Sequence, residues 1–241
     1  MKLLPDNPKI LVLDVGGSYV KCQLSDHEQQ RRFASGPNMT AGAMVRGVLG
    51  LVADWQYDVL SIGYPGVVRN DAPLVDPHNL APGWVGFDFQ EQFGCPVKIL
   101  NDAAMQALGA YQGGTMLFLG LGTGLGSALI VHGLVVPLEL GHLPYEDQRH
   151  YEYFVGQGGL ERLEEEQWRA RVIQVVEAFR LALMPDDIVL GGGNVHRLAQ
   201  LPPDTRRGDN ADAFIGGFRL WQPAIQAVQN APSGPAAFGR R

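Results

Sequence analysis

Residues 10–24 read Ile-Leu-Val-Leu-Asp-Val-Gly-Gly-Ser-Tyr-Val-Lys-Cys-Gln-Leu, two strand-forming apolar runs joined by a glycine pair. Such runs on either side of a glycine turn predict an antiparallel β-hairpin. Asp14 follows the first run, so its carboxylate would lie beside the turn. Because glycine lets backbone N–H groups approach a phosphate closely, the turn is either a plain hairpin or a phosphate cradle.

Two further glycine clusters follow apolar runs, Gly122-Thr123-Gly124-Leu125-Gly126 and Gly191-Gly192-Gly193-Asn194. Three such clusters at strand ends favour phosphate binding over three unrelated turns. The cluster that begins at Gly122 precedes a strand-forming run, whereas a dinucleotide fingerprint opens a helix, and it lacks the Gly-Lys-Ser/Thr of a P-loop. We therefore expect a hairpin whose turn holds a phosphate.

Composition narrows the class of protein. A chain of 241 residues suits one large domain or two small lobes. Its formal charge of −6 argues against general nucleic-acid binding, which needs a basic surface. Two cysteines, Cys22 and Cys95, cannot form a disulfide framework and indicate a reducing compartment. No apolar run reaches the ~20 residues of a membrane helix, so we expect a soluble, cytoplasmic protein without a membrane partner.

Strands and helices alternate twice along the chain, which predicts two α/β lobes, residues 1–100 and 101–241, with a cleft between them. The tail from Ala231 is predicted to be mobile, and residues 70–94 an ordered loop. The predicted helices are Thr40 to Trp55, Ala103 to Tyr111 and about Leu163 to Met184. The other predicted strands are 59–63, 97–100, 116–119, 127–131, 134–138 and 188–190.

Polar residues that could carry chemistry follow the predicted strands. Asp102 comes after a strand and opens a helix, so it is either a helix N-cap or a general base, and Asn101 beside it could bind a substrate. Glu139 and His142, three residues apart around a glycine, form either a solvated turn or part of a polar pocket. Zinc is a weaker interpretation, because His142 lacks a second ligand at a suitable spacing. Glu152, a carboxylate among aromatic residues, says little alone.

Together these motifs resemble the ROK family of sugar kinases, which have the actin-like ATPase fold with two ribonuclease-H-like lobes. They occur in the family's order across about residues 10 to 220. Within the family, Gly-Thr-Gly-Leu-Gly-Ser-Ala followed by Glu-Leu-Gly-His-Leu-Pro looks like the polyphosphate glucokinase branch. The motifs that carry the resemblance are Asp14 to Lys21, Gly63 to Val68, Asn79 to Trp84, Asn101 to Ala103, Gly122 to Ser127, Glu139 to His142 and Val189 to Gly193.

The resemblance implies transfer of a phosphoryl group from polyphosphate or ATP to the 6-hydroxyl of glucose, with Mg²⁺ and with Asp102 as the general base. It also implies a homodimer. The implied sugar-binding residues are Asn79, Asn101, Glu139, His142 and Glu152. The implied donor-binding residues are Asp14, which would also hold Mg²⁺ directly or through water, Gly16, Gly17, Ser18, Lys21, Gly122, Thr123, Gly124, Gly191, Gly192 and Gly193.

The chain departs from the family pattern where many members carry a cysteine-rich zinc motif. Residues 143–151 contain no cysteine, so no structural zinc is expected. The first predicted strand begins by residue 10, so we also expect no DNA-binding helix-turn-helix. Two alternatives stay open, a catalytically silent sugar sensor and a kinase for another hexose.

The sequence leaves the donor open between polyphosphate and ATP. Polyphosphate needs a basic track, and Lys21, Arg31, Arg32 and Arg69 form one only if they converge in space. The short region after Gly193 implies a reduced adenine pocket, which favours polyphosphate mildly.

Overall fold

The computed structural model describes residues 5–223, which form two five-stranded sheets, a small two-stranded sheet and seven α-helices. The strands are β1 (Ile10–Val15), β2 (Tyr19–Leu24), β3 (Arg31–Ala34), β4 (Val59–Tyr64), β5 (Val68–Arg69), β6 (Ala72–Pro73), β7 (Val97–Asn101), β8 (Thr115–Leu121), β9 (Leu125–Val131), β10 (Leu134–Leu138), β11 (Asp187–Gly191) and β12 (Thr205–Arg207). The helices are α1 (Ala41–Leu51), α2 (Phe89–Phe93), α3 (Asp102–Ala110), α4 (Tyr151–Val155), α5 (Gln157–Arg162), α6 (Glu165–Leu183) and α7 (Asp212–Arg219).

The two large sheets have the same arrangement of strands. The first has the order β3-β2-β1-β4-β7 and the second the order β10-β9-β8-β11-β12. In each sheet three strands form an antiparallel meander, and two more lie parallel to its first strand. The glycine turns that end β1 and β8 are therefore equivalent positions of the two sheets, and parallel strands end beside each of them.

Helices α3 and α7 pack together between the two sheets. An apolar layer formed by Val12, Val59, Met105, Phe118 and Phe214 joins both sheets through these helices. The helices touch at two glycines, where a Cβ on Gly109 would lie 1.9 Å from the Asp212 carbonyl oxygen, and one on Gly216 1.8 Å from that of Met105. A side chain larger than hydrogen at either position would push the helices apart.

The structure differs from the sequence prediction in several elements. Thr40 caps α1 as predicted, but the helix ends at Leu51 rather than Trp55. Residues 70–94 are not only loop, because they include β6 and α2. The turn predicted over 120–126 is shorter, since β8 continues to Leu121 and β9 resumes at Leu125. The sequence did not predict α4, α5, α7, β3 or β12.

The structure does not test two of the sequence predictions, the mobile tail and the boundary between the lobes. The tail from Ala231 lies outside the described residues. The predicted lobe boundary at residues 100–101 falls where β7 ends and α3 begins, and it stays a prediction.

Within residues 5–223, no helix has the length and apolar character to cross a membrane.

Candidate active site

Most of the predicted site residues border one cavity of about 380 Å³ between the two sheets. The turns after β1 and β8 and the loop after β11 form one part of its wall, and the start of α3 forms another. The predicted residues that line it are Gly16, Gly17, Asn79, Asn101, Asp102, Gly122, Thr123, Gly124, Glu139, His142, Glu152, Gly192 and Gly193. One cavity thus joins all three glycine clusters to the polar residues.

Four predicted donor-binding residues do not border this cavity, namely Asp14, Ser18, Lys21 and Gly191. Lys21 Nζ lies 3.0 Å from Asp14 Oδ2, so these two side chains pair with each other across β1 and β2. Gly191 is the last residue of β11, and a Cβ there would lie 2.5 Å from the Phe118 ring. Their predicted contacts with a donor therefore stay predictions.

Asn101, rather than Asp102, caps helix α3. The Asn101 amide oxygen accepts a hydrogen bond from the Ala104 N–H at 3.1 Å, and its amide nitrogen donates to the Gly66 carbonyl, also at 3.1 Å. This corrects the N-cap alternative for Asp102. Asp102 is the first residue of the helix, and its carboxylate accepts from the Ala103 N–H at 2.8 Å while bordering the cavity.

Burial sets the electrostatics of Asp102. The pKa of its carboxyl is raised from 3.8 to about 7, mainly by desolvation, with the hydrogen bond from the Ala103 N–H opposing the shift and the negative charges of Asp14 and Glu139 supporting it. A carboxyl that titrates near neutral pH is matched to general base catalysis, because it can accept a proton without remaining protonated. The role of Asp102 as a general base stays a prediction, and its burial at the cavity is consistent with that prediction.

A histidine and two carboxylates form a polar wall of the cavity. His142 Nδ1 lies 3.7 Å from Glu139 Oε2, and His142 Nε2 lies 3.6 Å from Glu152 Oε1. Partial burial raises the pKa of Glu139, His142 lowers it and the Glu152 charge raises it further. Glu139 and His142 border the cavity, and their side chains are also 45% and 52% exposed, so the pair lies at a part of the cavity that is open to solvent. Glu152, uninformative in the sequence, lies directly beside His142.

Sequence analysis missed Ser127, which fixes the start of this wall. The Ser127 hydroxyl is buried, donates to the Leu138 carbonyl at 2.9 Å and accepts from the Leu140 N–H at 3.0 Å. These bonds hold the segment that carries Glu139 against β9. The only signal in the sequence was a serine directly after the glycine cluster.

The glycine turn between β8 and β9 is fastened by two residues from other elements. The Gln157 N–H donates to the carbonyls of Gly122 at 2.9 Å and Thr123 at 3.2 Å. The Asn194 amide nitrogen donates to the Gly122 carbonyl at 3.3 Å and to the Gln157 side-chain oxygen at 3.0 Å. These bonds occupy carbonyls of the turn, and Gln157 gave no signal in the sequence.

Two of the glycine turns lie against residues that are predicted to bind the sugar. A Cβ on Gly124 would lie 2.5 Å from Glu152 Oε2, and one on Gly17 would lie 3.2 Å from the Asn79 Cβ. Asp76, another cavity residue, accepts from the N–H groups of Gly83 and Trp84 and so shapes the loop that carries Asn79. The backbone hydrogen bond from Trp84 is the main cause that lowers the Asp76 pKa.

The residues present fit Mg²⁺ held chiefly by a phosphate ligand. Mg²⁺ usually takes one or two carboxylates and keeps waters and phosphate oxygens as its other ligands. Asp14 supplies one carboxylate behind the first glycine turn, and one of its oxygens pairs with Lys21. Over residues 5–223 no cluster of three or more His, Cys, Asp and Glu side chains could hold a metal by itself.

Of the four basic residues that could form a binding track for polyphosphate, three lie around one cavity. Lys21, Arg31 and Arg32 border a separate cavity of about 430 Å³, which does not include Arg69. Arg31 forms an ion pair with Asp54, and Lys21 pairs with Asp14. Carboxylates thus already compensate two of these three charges.

Comparison with known proteins agrees with this geometry. The model of the ROK family matches residues 10–156. The chain belongs to the ROK family. Among curated proteins it is similar to the polyphosphate glucokinase of Mycobacterium tuberculosis, with 27% identity over 207 residues that cover 75% of this chain and 76% of the relative.

Solved structures confirm the predicted fold. The inorganic polyphosphate/ATP-glucomannokinase from Arthrobacter sp. strain KM superposes with a TM-score of 0.76 at 22% identity, covering 88% of this chain and 97% of that one. A ROK family glucokinase from Streptomyces griseus, in complex with glucose and AMPPNP, gives 0.74 at 16% identity, over 88% and 98%. The two-lobe, actin-like ATPase fold of ROK sugar kinases is therefore the fold of this chain.

Proposed function

We propose that this ROK protein is a sugar kinase that transfers a phosphoryl group from polyphosphate or ATP to the 6-hydroxyl of glucose. The observation that carries the proposal is the place of Asp102. Its carboxyl, with a pKa of about 7, borders the same cavity as the glycine turns and the Glu139–His142–Glu152 wall. A base between a phosphate cradle and a polar wall fits transfer to a hydroxyl.

In this proposal the acceptor sugar occupies the polar side of the cavity. Asn79, Asn101, Glu139, His142 and Glu152 bind its hydroxyls, and the remaining acceptor and donor capacity of Asn101 permits this in addition to its cap. Asp102 removes the proton of the 6-hydroxyl as that oxygen attacks the donor. General base catalysis by one group contributes roughly 10²- to 10⁴-fold.

The donor lies along the glycine turns. Gly17, Thr123, Gly124, Gly192 and Gly193 border the cavity, and backbone N–H groups of these turns would donate to the donor's phosphates and stabilise developing negative charge. The N–H groups of Gly16 and Gly122 are used within the turns, since they donate to the carbonyls of Tyr19 and Gly124. Bound Mg²⁺, held by the donor's phosphates and through water by Asp14, would neutralise further charge. Because phosphoryl transfer has a loose transition state, positioning supplies most of the catalysis.

The test is the formation of glucose 6-phosphate by the purified protein with Mg²⁺, comparing ATP with polyphosphate at matched phosphoryl concentration. Mannose and glucose are compared as acceptors in parallel. We expect product with at least one donor. Sugar binding without transfer from either donor to any hexose would instead identify a silent sugar sensor.

Glu139→Gln is expected to change the pH at which kcat/KM falls on the acid limb of the profile. We expect kcat/KM to fall as pH decreases through about 7, because Asp102 acts as a base only when it is deprotonated. Glu139→Gln removes a negative charge that raises the Asp102 pKa, so the limb moves to lower pH. Rate profiles between pH 5 and 9 measure it, with the exposed Glu91→Gln as the control. An unmoved limb would contradict the coupling.

Asn194→Ala gives a prediction for the donor side. Loss of its bond to the Gly122 carbonyl loosens the turn, and one hydrogen bond is worth roughly 0.5–1.5 kcal/mol, or about 2- to 12-fold. We expect the KM for the donor to rise by about this factor while the KM for the sugar stays unchanged. Initial rates at varied donor concentration measure it, with the exposed Asn38→Ala as the control. An equal rise in both KM values would refute a role specific to the donor.

A further inference from the structure

The sugar side of the cavity opens into a second space of about 830 Å³, here termed the outer recess. His142 and Glu152 border both spaces, whereas Asp102 borders the inner cavity alone. The outer recess is therefore separated from the base by the residues proposed to hold the sugar. Beyond the polar wall its lining includes Arg149, His150, Tyr153 and Arg162, and it also reaches Asn79 and the β8–β9 turn at Thr123 and Gly124.

Two arginine side chains in the outer recess lie over the same aromatic ring. The guanidinium of Arg162 lies 3.7 Å from the centre of the Tyr153 ring, and that of Arg149 lies 4.9 Å from it. Arg162 also donates to the Tyr153 carbonyl. In the part of the chain that the structure describes, no carboxylate forms an ion pair with either guanidinium. Arginines that are oriented but not neutralised suit an oxyanion, which guanidinium binds with two parallel hydrogen bonds.

A tight hairpin places Arg149 at this position. The Arg149 N–H donates to the Glu146 carbonyl at 2.8 Å, and the Tyr145 N–H donates to the Arg149 carbonyl at 2.7 Å. Asp147 and Gln148 between them have φ of 50° and 58°, the left-handed pair of a two-residue hairpin turn. The cysteine-free segment 143–151 thus presents a cation toward the cavity.

The position of the outer recess fixes which part of a ligand reaches it. In the proposed orientation the 6-hydroxyl of the hexose lies at Asp102, and the opposite side of the ring lies at His142 and Glu152, which border both spaces. A substituent on that side of the ring would enter the outer recess.

From this position and charge, we infer that the preferred acceptor is a hexose that carries an anionic group, a phosphate ester or a carboxylate, away from the reacting hydroxyl. Arg149 and Arg162 bind that group. The inference rests on the proposed function for the orientation of the sugar. The reaction is unaltered: the 6-oxygen forms a new bond to the terminal phosphorus of the donor, the bond from that phosphorus to its bridging oxygen breaks, the shortened donor leaves with that oxygen, and the hydroxyl proton passes to Asp102.

Binding calorimetry tests this without turnover. Glucose, α-glucose 1-phosphate and tripolyphosphate are titrated into the full-length protein and into Arg149→Gln, Arg162→Gln and the double variant. We expect glucose 1-phosphate to bind at least tenfold more tightly than glucose. That advantage disappears in the double variant, whose affinity for glucose stays unchanged. Arg46→Gln, on the exposed side of α1, is the matched control and keeps the advantage.

Two results would overturn the inference. One is equal or weaker binding of glucose 1-phosphate relative to glucose in the unmodified protein. The other is a double variant that loses affinity for tripolyphosphate but not for glucose 1-phosphate, which would assign the outer recess to the donor. Failure of the proposed function is separate, since it is absence of sugar phosphate from any donor, whatever the binding preference. Carboxymethyl α-glucoside, which keeps the 6-hydroxyl and carries a carboxylate on the anomeric oxygen, is then compared with glucose 1-phosphate to separate carboxylate from phosphate as the recognised anion.

Discussion

Asp102→Asn is expected to lower kcat by roughly 10²- to 10⁴-fold, equivalent to about 3–5 kcal/mol of transition-state stabilisation. Asparagine keeps the size of the side chain but cannot accept the proton of the attacking hydroxyl. The affinity for sugar stays within a few-fold, because the polar wall of Glu139, His142 and Glu152 is unchanged. Steady-state rates and calorimetric sugar titration measure the two quantities.

Asp88→Asn is the matched control for this substitution. Asp88 caps α2 by accepting from the Glu91 N–H, lies outside the cavity, and asparagine caps helices equally well. We expect its kinetics to equal those of the unmodified protein. Near-normal turnover by Asp102→Asn would exclude Asp102 as the base.

Asp102→Asn has a second readout, thermal stability, that needs no substrate. The Asp102 pKa is about 7 in the folded protein against an ordinary value of 3.8, so the folded state binds the proton more tightly than the unfolded chain. The Asp102 carboxyl therefore stabilises the folded protein at low pH, and this stabilisation is lost as pH rises from about 4 to 7. Asp102→Asn is therefore expected to raise Tm relative to the unmodified protein at pH 8, and the difference shrinks toward pH 4.

Gly216→Ala is expected to destabilise the fold by about 1–3 kcal/mol or more, a large share of the roughly 5–15 kcal/mol of a typical domain. The new Cβ would lie 1.8 Å from the Met105 carbonyl oxygen, a backbone atom that cannot rotate away. Helices α3 and α7 must then separate, and because α3 begins at Asp102, activity falls as well. Urea unfolding followed by circular dichroism measures the loss.

Gly50→Ala serves as the control for this effect. Gly50 lies on the exposed side of α1, where a Cβ would have no atom within 4 Å. Alanine is the better helix former by about 1 kcal/mol, so this variant is expected to gain stability. If Gly216→Ala is also as stable as the unmodified protein, α3 and α7 do not pack as closely as described.

Local signals in the sequence predicted the parts of the fold that short segments determine. The hairpin around Gly16 and Gly17 needs only two apolar runs and a permissive turn. The convergence of Asp102 on the glycine turns also follows, because parallel strands end at one edge of a sheet. The sequence could not choose the cap of α3, since Asn101 and Asp102 are both favourable caps, and the Gly66 carbonyl, 35 residues away, binds Asn101.

Features that depend on distant contacts were not predictable. Helix α7 contains two glycines, which have low helix propensity. It forms nonetheless because these glycines let it pack closely against α3. Gln157 and Ser127 act through bonds to segments that only the fold brings near them. Arg149 reaches the outer recess through a left-handed pair at Asp147 and Gln148, which are not glycines and therefore gave no turn signal.

The passage from β7 into α3 anchors the proposed base on both sides. The chain leaves the first sheet at Asn101 and enters the helix at Asp102. The Asn101 amide accepts from the Ala104 N–H of the helix and donates to the Gly66 carbonyl of the loop after β4. The proposed base is therefore tied to a strand, a helix and a loop at once, so we expect its carboxylate to keep its place in the cavity whether or not a substrate is bound.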